Sequence, residues 1–464
     1  MSLEYGVVVL AAGMGTRLKL DVPKPLAPFM GKKLIDYALS PVWGYFNNSK
    51  SASVTLVTGH KRELLESYIQ SGYPEKKISF AFQEKQLGTA DALKTYFDKT
   101  ENSKSTEYTI VLCADTPLLS VDVLSKLMDV IKTKNLDAVA ATFKEENPFG
   151  YGRIVRKEKG FNIVEQKDGS EEILKINEVN SGVYILKTKF VLENIYDIGS
   201  NNKASEFYLT DLFKENYAVE AVCFEDKSCF LGVNDLFQLS VAEELFRKGI
   251  AKKLMLENGV ILKNPSLINI ETTEIGKGTI IEANVSIDAT SKIGENVKIE
   301  QGAVIKNSQI LDGAHIKAYS YLDGAVVHGK ASIGPFAHLR PGADIGEESK
   351  IGNFVEIKKS KLEKGVKVSH LSYVGDAFIG DEVNIGCGFI TCNYDGANKH
   401  VTKIGKGSFI GSDSQTIAPV EIGEDCFVAS GTTVTHSMAN GAFAISRTKQ
   451  VTKDGMAHRF IKKK

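Results

Sequence analysis

The sequence predicts a chain in two parts, an α/β domain with a mostly parallel sheet and then a parallel β-helix, joined by one helix. Three observations carry that reading. Residues 1–233 alternate short apolar segments with helical ones. Ile275, Ile281, Ile287, Ile293, Ile299 and Ile305 recur every six residues. Between these regions a single stretch repeats its apolar residues every three or four positions. A length of 464 residues suits two or three domains.

In the first part, Val7–Leu10, Ser53–Val57 and Tyr108–Leu112 are short and rich in β-formers, as buried strands are. Arg62–Gln70 and Thr89–Phe97 have helical composition. Strands alternating with helices predict a parallel sheet covered on both faces. Ligands then bind beyond the carboxyl ends of the strands. In the joining stretch, 235–257, Leu239, Ala242, Phe246, Ile250 and Leu254 form the apolar stripe of a helix. Asp235 can cap its start and Asn258-Gly259 its end. It reads as a linker helix or as the last helix of the first domain. The expected division is 1–233, 234–260 and 261–464.

The six-residue period slips by one and resumes at Ile310, Ile316 and Leu322, then at Val327, Ile333, Leu339, Ile345, Ile351 and Ile357. A last run is Ile404, Ile410, Thr416, Ile422, Val428 and Val434. No α-helix has a period of six. Hexapeptide repetition predicts a β-helix in which each turn stacks its aliphatic on the turn below. Residues 391–403, with Asn393-Tyr394-Asp395-Gly396, interrupt the period and predict a loop leaving the prism, where function concentrates.

Lys plus Arg and Asp plus Glu each number 57, so the net charge is zero. A protein that coats nucleic acid needs a basic excess, so that class is excluded. With 43% hydrophobic and 25% charged residues the chain has enough apolar side chains for a large core, and disorder is excluded as its main state. The six cysteines show no metal-binding spacing and read as reduced thiols of a cytoplasmic protein. No stretch approaches the ~18 apolar residues of a membrane span. Val7–Ala12 lacks a basic flank and reads as a strand entering a loop, not a signal peptide. Lys462–Lys464 reads as a solvated tail.

The chemistry begins after the first strand, at Leu10-Ala11-Ala12-Gly13-Met14-Gly15-Thr16-Arg17, with Lys24 seven residues on in Val22-Pro23-Lys24-Pro25. Small residues let backbone N–H groups approach phosphates, and the two cations supply charge where a pyrophosphate would leave. Asp115 follows a buried strand, where it is either a helix cap or an oxygen ligand for a hard cation. His370 by itself has no more claim to function than the seven other histidines.

The pair of motifs, G-x-G-T-R and then P-K, resembles the sugar-1-phosphate nucleotidylyltransferases. Joined to a hexapeptide β-helix, the whole chain resembles the bacterial family of bifunctional N-acetylglucosamine-1-phosphate uridylyltransferase/glucosamine-1-phosphate acetyltransferases. The resemblance implies a Rossmann-like nucleotidyltransferase domain, a linker helix and a left-handed parallel β-helix. It further implies UTP and acetyl-CoA as cosubstrates, Mg²⁺ at the uridylyltransferase site, and a homotrimer in the cytoplasm with small-molecule substrates and neither nucleic acid nor membrane as partner. In the first domain Arg17 and Lys24 match catalytic positions. Leu10, Ala11, Ala12, Gly13, Gln83, Gly88 and Thr89 match nucleotide-binding positions. Gly152, Glu165 and Asn180 match sugar-binding ones, and Asp115 with Asn234 matches the metal-holding pair. Cys113 stands where the family commonly has Tyr.

In the β-helix, His370 matches the general base, and an imidazole titrating near pH ~6.5 can take the proton of an attacking amine. Glu356 is expected behind it as an orienting carboxylate. Arg340, Lys358, Tyr373 and Asn384 match phosphosugar-binding positions. Cys387, Asn393, Tyr394, Ser412, Ser430 and Arg447 match positions around acetyl-CoA. Cys387 and Ser430 stand where Ala is common, and Met456 where Trp is expected. Two other readings compete. One keeps only nucleotidyl transfer, with the β-helix as a scaffold. The other is a non-catalytic assembly subunit, which would typically lack the Arg and Lys of the first loop.

Overall fold

The computed structural model of the chain describes residues 4–47 and 51–461; the Lys462–Lys464 tail lies outside them. By its internal contacts the chain forms two compact units, Met1–Phe246 and Arg247–Lys464.

Nine strands of the first unit, among the described residues, share one sheet: β1 (Tyr5–Ala11), β2 (Ala52–Thr58), β3 (Ile78–Phe82), β4 (Tyr108–Cys113), β5 (Ala138–Lys144), β6 (Arg153–Arg156), β7 (Phe161–Val164), β8 (Glu178–Lys187) and β9 (Val219–Phe224). Their order is β9-β5-β8-β4-β1-β2-β3, with β6 attached to β8 and β7 paired to β6. β4, β1, β2 and β3 pair in parallel, while β8 runs antiparallel between β4 and β5. Val7, Val8 and Val9 are all fully buried. Val7 and Val9 pack with Leu39, Val42, Leu124 and Leu127, which lie on α1 (Leu34–Phe46) and α4 (Val121–Thr133). Val8 packs with Leu93, Tyr96 and Phe97 of α3 (Thr89–Lys99), on the opposite face. Two covered faces explain why β1 is a continuous apolar run rather than an alternating one. The predicted strands and helices are present, α2 spanning Arg62–Gly72, each extended by up to two residues per end.

The helix foreseen at 235–257 spans Leu236–Leu256. Asp235 Oδ1 accepts from the Gln238 N–H at 2.8 Å, the N-cap bond expected of it. At the other end Gly259 takes a φ of 69°, and the Val260 N–H donates to Leu254 O at 2.9 Å.

The second unit is the left-handed β-helix, whose three faces are sheets of eleven, ten and eight strands among the described residues. Between the end coils and the interruption, partners one coil apart are 17 or 18 residues apart, as Ile316 on Ile333 and Ile333 on Ile351. The inward aliphatics are fully buried and stack in columns. The phase slips are absorbed at the corners. Whether a step is six residues (Ile299 to Ile305) or five (Ile305 to Ile310), the residue three positions before the next aliphatic turns through positive φ, here Gly302 and Asn307. The turn is thus fixed relative to the strand that follows it, and the missing residue is lost ahead of it. Across the interruption at 391–403 the coil lengthens to 25 residues, with Ile379 under Ile404. The extra residues form the predicted loop, closed by a bridge between Tyr394 and Lys399.

Candidate active sites

In the first unit the loop after β1 brings Gly15, at φ 62°, against Lys24. A Cβ on Gly15 would lie 2.7 Å from Lys24 Cβ, so only glycine permits this approach. The Lys24 ammonium donates to the Asp115 carboxylate and, at 2.9 Å, to Asn234 Oδ1. Three residues 91 and 210 positions apart thereby meet at one point. Asp115 lies two residues beyond β4, and its carbonyl accepts from the Val233 N–H at 2.9 Å. The Asn234 N–H donates to Gln238 Oε1 at 2.7 Å, so the first turn of the long helix fixes Asn234. α4 is preceded by Ser120, which leaves Asp115 outside any helix cap. Arg17 is exposed on a short turn anchored by buried Leu18.

Gln83, just past β3, is buried, and its Nε2 donates to Asp91 Oδ2 at 2.7 Å and to Gly88 O at 3.3 Å. Gly88 has a φ of 126°, and a Cβ there would lie 2.4 Å from Phe207 O. Thr89 Oγ1 accepts from the Leu209 N–H at 3.0 Å. Leu10 and Ala11 thus close β1, Ala12 and Gly13 follow it, and Gln83 and Asp115 follow the carboxyl ends of β3 and β4, as a parallel sheet requires.

The sugar-matching residues form a second group. A register shift in β8 follows Asn180, which still pairs with Thr142, and ends at Tyr184, which pairs with Ala140. The Asn180 N–H donates to Gly152 O at 2.9 Å, and its Nδ2 to Tyr184 Oη at 2.6 Å. A Cβ on Gly152 would meet Ile163 Cγ2 at 3.0 Å and both Glu165 oxygens at 3.4 Å, so this glycine lies directly against the carboxylate. Burial raises the Glu165 pKa, and acidic Asp168, Asp211 and Glu206 add to the rise, against a lowering bond from Thr210 Oγ1 at 3.0 Å. Glu165 and Thr210 line a cavity of about 460 Å³ with Asp168, Asn202 and Tyr208. Cys113 Sγ sits 3.7 Å from Gly182 O in the same bulge, and burial pushes its thiol up to about 12. Asp91, Gln238 and Thr210 escaped the sequence reading because each acts only through a partner distant in sequence or around a turn.

In the β-helix, His370 ends the strand Lys367–His370 at a corner, in register with Asn353 one coil below. Its Nδ1 lies 2.8 Å from Asn353 Oδ1. Since that oxygen can only accept, Nδ1 carries the proton and Nε2 keeps its lone pair. The imidazole's hydrogen-bond partner is therefore Asn353, and Glu356, expected behind it, bonds elsewhere. Glu356 pairs in register with Tyr373 on the next face, and it accepts from Arg340 Nη1 at 2.6 Å.

Cys387, Ser412 and Ser430 each lie two residues past the inward residues Ile385, Ile410 and Val428, as His370 lies two past Val368. These four residues form one column along the corner, a coil apart, or ~4.8 Å per step. A Cβ on Gly431 would meet Arg447 Cδ at 3.4 Å, which places Arg447 at the far end of that column. Asn384 is in register with Lys367, on the coil next to His370.

On the adjoining face Arg340 precedes the coil of Lys358, whose ammonium pKa is lowered by the neighbouring Lys399 and also by Arg340. Lys399 is a cation that no sequence spacing revealed, because the Tyr394–Lys399 loop folds it back onto Lys358. Tyr373 Oη is 3.4 Å from Asn393 Nδ2, which also donates to Asp376 at 2.5 Å. Tyr394 lies exposed on the loop, its hydroxyl donating to Gly396 O at 2.6 Å. Among the described residues no group of three or more His, Cys, Asp or Glu side chains converges as a metal cage, and no helix is long and apolar enough to cross a membrane. All six cysteines are free thiols.

Residues 6–229 match the family described as nucleotidyl transferase, 263–341 the GMPPB C-terminal domain, and 324–359 and 402–436 the bacterial transferase hexapeptide (six repeats). The bifunctional protein GlmU of Pelobacter propionicus is 42% identical, over 99% of this chain and 99% of its own. The proteins of that name from Shouchella clausii and Geotalea uraniireducens are each 39% identical, covering 96% and 97% of this chain and 97% and 98% of theirs. With resemblance running from end to end and through both units, the chain belongs to the GlmU family of bifunctional proteins.

Proposed function

We propose that the chain makes UDP-N-acetylglucosamine in two steps. The second unit transfers acetyl from acetyl-CoA to glucosamine-1-phosphate, and the first transfers uridylyl from UTP to N-acetylglucosamine-1-phosphate, releasing pyrophosphate. The observation carrying this reading is that one chain holds both the Lys24–Asp115–Asn234 convergence and the His370–Asn353 pair, with three cations gathered on the adjoining face.

In acetyl transfer, His370 Nε2 takes a proton from the sugar amine as its nitrogen attacks the thioester carbonyl. The C–N bond forms, the C–S bond breaks, and the departing sulfur takes the proton from the imidazolium and leaves as the thiol of coenzyme A. Asn353 holds the tautomer that keeps Nε2 free. Arg340, Lys358, Lys399 and Tyr373 bind the sugar phosphate, and the column Cys387–Ser412–Ser430 with Asn393, Tyr394 and Arg447 lies along the cofactor. In uridylyl transfer, Gln83, Gly88 and Thr89 read the base while Gly152, Glu165 and Asn180 hold the sugar. Arg17 and Lys24 stabilise charge on the leaving pyrophosphate. Asp115 and Asn234 offer one carboxylate and one amide oxygen already gathered on a cation, a donor set that fits Mg²⁺ and leaves positions for phosphate. Bound there, the ion would neutralise and align the triphosphate.

The proposed domains are 1–233, the linker helix 234–260, and 261–464, in a cytoplasmic homotrimer. Assembly is supported by exposed Tyr319, Phe336 and Phe354, which stack on one corner with centroids 5.3 and 5.5 Å apart.

The test is one reaction containing glucosamine-1-phosphate, acetyl-CoA, UTP and Mg²⁺, followed for both coenzyme A and pyrophosphate. Both should appear. EDTA should stop pyrophosphate alone, and His370→Ala should stop coenzyme A release while pyrophosphate release from added N-acetylglucosamine-1-phosphate continues. No coenzyme A from the unaltered protein, with pyrophosphate released only when N-acetylglucosamine-1-phosphate is added, would reduce the β-helix to a scaffold.

A further inference from the structure

The Lys24 ammonium occupies the place that the proposed metal would take. It donates at once to the Asp115 carboxylate and to Asn234 Oδ1, the two oxygens assigned to Mg²⁺. The site is partly enclosed, the Lys24 and Asp115 side chains being 13% and 27% exposed. Magnesium takes oxygen ligands at about 2.0–2.1 Å. An ammonium hydrogen-bonded to the same two atoms overlaps that position, and two cations cannot share it. The lysine side chain is a flexible four-carbon stem carrying a point charge, so it can leave without unfolding its surroundings. Its backbone cannot follow, because Gly15 packs against Lys24 Cβ.

We propose that Lys24 is an internal occupant of the metal seat, displaced by Mg²⁺ and thereby released toward the triphosphate. The proposal rests on the assignment of Asp115 and Asn234 as metal ligands. Without nucleotide, Lys24 holds the carboxylate paired and Asn234 oriented, and it competes with the ion. When metal and UTP arrive together, the freed ammonium gains phosphate oxygens as new partners. Metal and nucleotide therefore bind with positive coupling, and each raises affinity for the other by the same factor.

The experiment titrates Mg²⁺ into the nucleotide-free full chain by calorimetry, comparing the unaltered protein, Lys24→Met and Asp115→Asn. Lys24→Met should bind Mg²⁺ about tenfold more tightly, and Asp115→Asn should lose binding. Loss in Asp115→Asn without a gain in Lys24→Met would overturn the displacement and leave the metal assignment standing. Undiminished binding in Asp115→Asn would overturn both. A second measurement needs no variant: brief acetic anhydride labelling of the unaltered protein, read at Lys24 by mass spectrometry. Labelling should rise when Mg²⁺ is added without nucleotide, because the ammonium has lost its partners. Equal or lower labelling would overturn the proposal, and this arm decides alone if Lys24→Met does not fold.

Discussion

Asn353 Oδ1 lies 2.8 Å from His370 Nδ1, and the two residues are partners in the same ladder, one coil apart. The coil spacing of the β-helix therefore sets the imidazole in place. A side chain held by ladder register needs no second loop to orient it, and the free Nε2 faces away from its support.

Removing that support should cost activity without unfolding the coil. Asn353→Ala should lower kcat for acetyl transfer about ten- to hundredfold, less than His370→Ala, with pyrophosphate release unchanged. Coenzyme A release against pH is the measurement. A loss of both activities together, or none of either, would show that the amide does not act through the histidine.

The cation group on the neighbouring face predicts a pH dependence. Lys399, and then Arg340, holds the Lys358 pKa below the usual lysine range. A bound phosphate favours the charged ammonium, so affinity for glucosamine-1-phosphate is full while Lys358 is protonated. It falls as pH rises through that lowered pKa. Lys399→Gln should move the fall to higher pH and raise KM at neutral pH roughly fivefold. A KM profile that keeps its alkaline limb unmoved would separate Lys399 from the phosphate site.

Glu165 should reveal itself in stability. Its carboxyl pKa is raised mainly by burial, so the folded state binds its proton more tightly than the unfolded state. The stabilising effect of that proton is full below the unfolded carboxylate range and is lost as pH rises through the raised value. At neutral pH the buried charge is thus a burden. Glu165→Gln should raise Tm at pH 8, with the gain fading in acid, while KM for N-acetylglucosamine-1-phosphate rises. A gain that is constant with pH would point to packing instead of charge.

A shared acetyl site predicts rescue between chains. Arg447 ends the corner column that His370 begins, although the two are on different stretches of the β-helix. If residues from adjacent chains complete the cofactor site, mixing His370→Ala with Arg447→Ala chains should restore acetyl transfer absent from either alone. No restoration, with exchange of chains confirmed by mass, would place both residues in one chain's site.

The sequence by itself determined the architecture. Three apolar periods are local properties of the chain, and burial of each period dictates a buried parallel strand, a helix and a stacked coil in turn. The six-residue ladder from Ile275 and the loop at 391–403 could be read because a repeat declares its own interruption. The phosphate loop and Asp115 were legible for a related reason, since parallel strands place functional residues just beyond their ends.

Contacts across sequence distance were decided only by the tertiary structure. Glu356 is near His370 in sequence, yet the corner turns it onto another face, and Asn353 bonds the imidazole from one coil below. Lys399 reaches Lys358 because the loop folds back, and Gln238 fixes Asn234 only once the long helix has begun. The meeting of Lys24 with Asp115 and Asn234 has no trace in spacing or composition. An ion pair depends on separation in space, and only the closed sheet brings residues so far apart in the chain within reach of one ammonium.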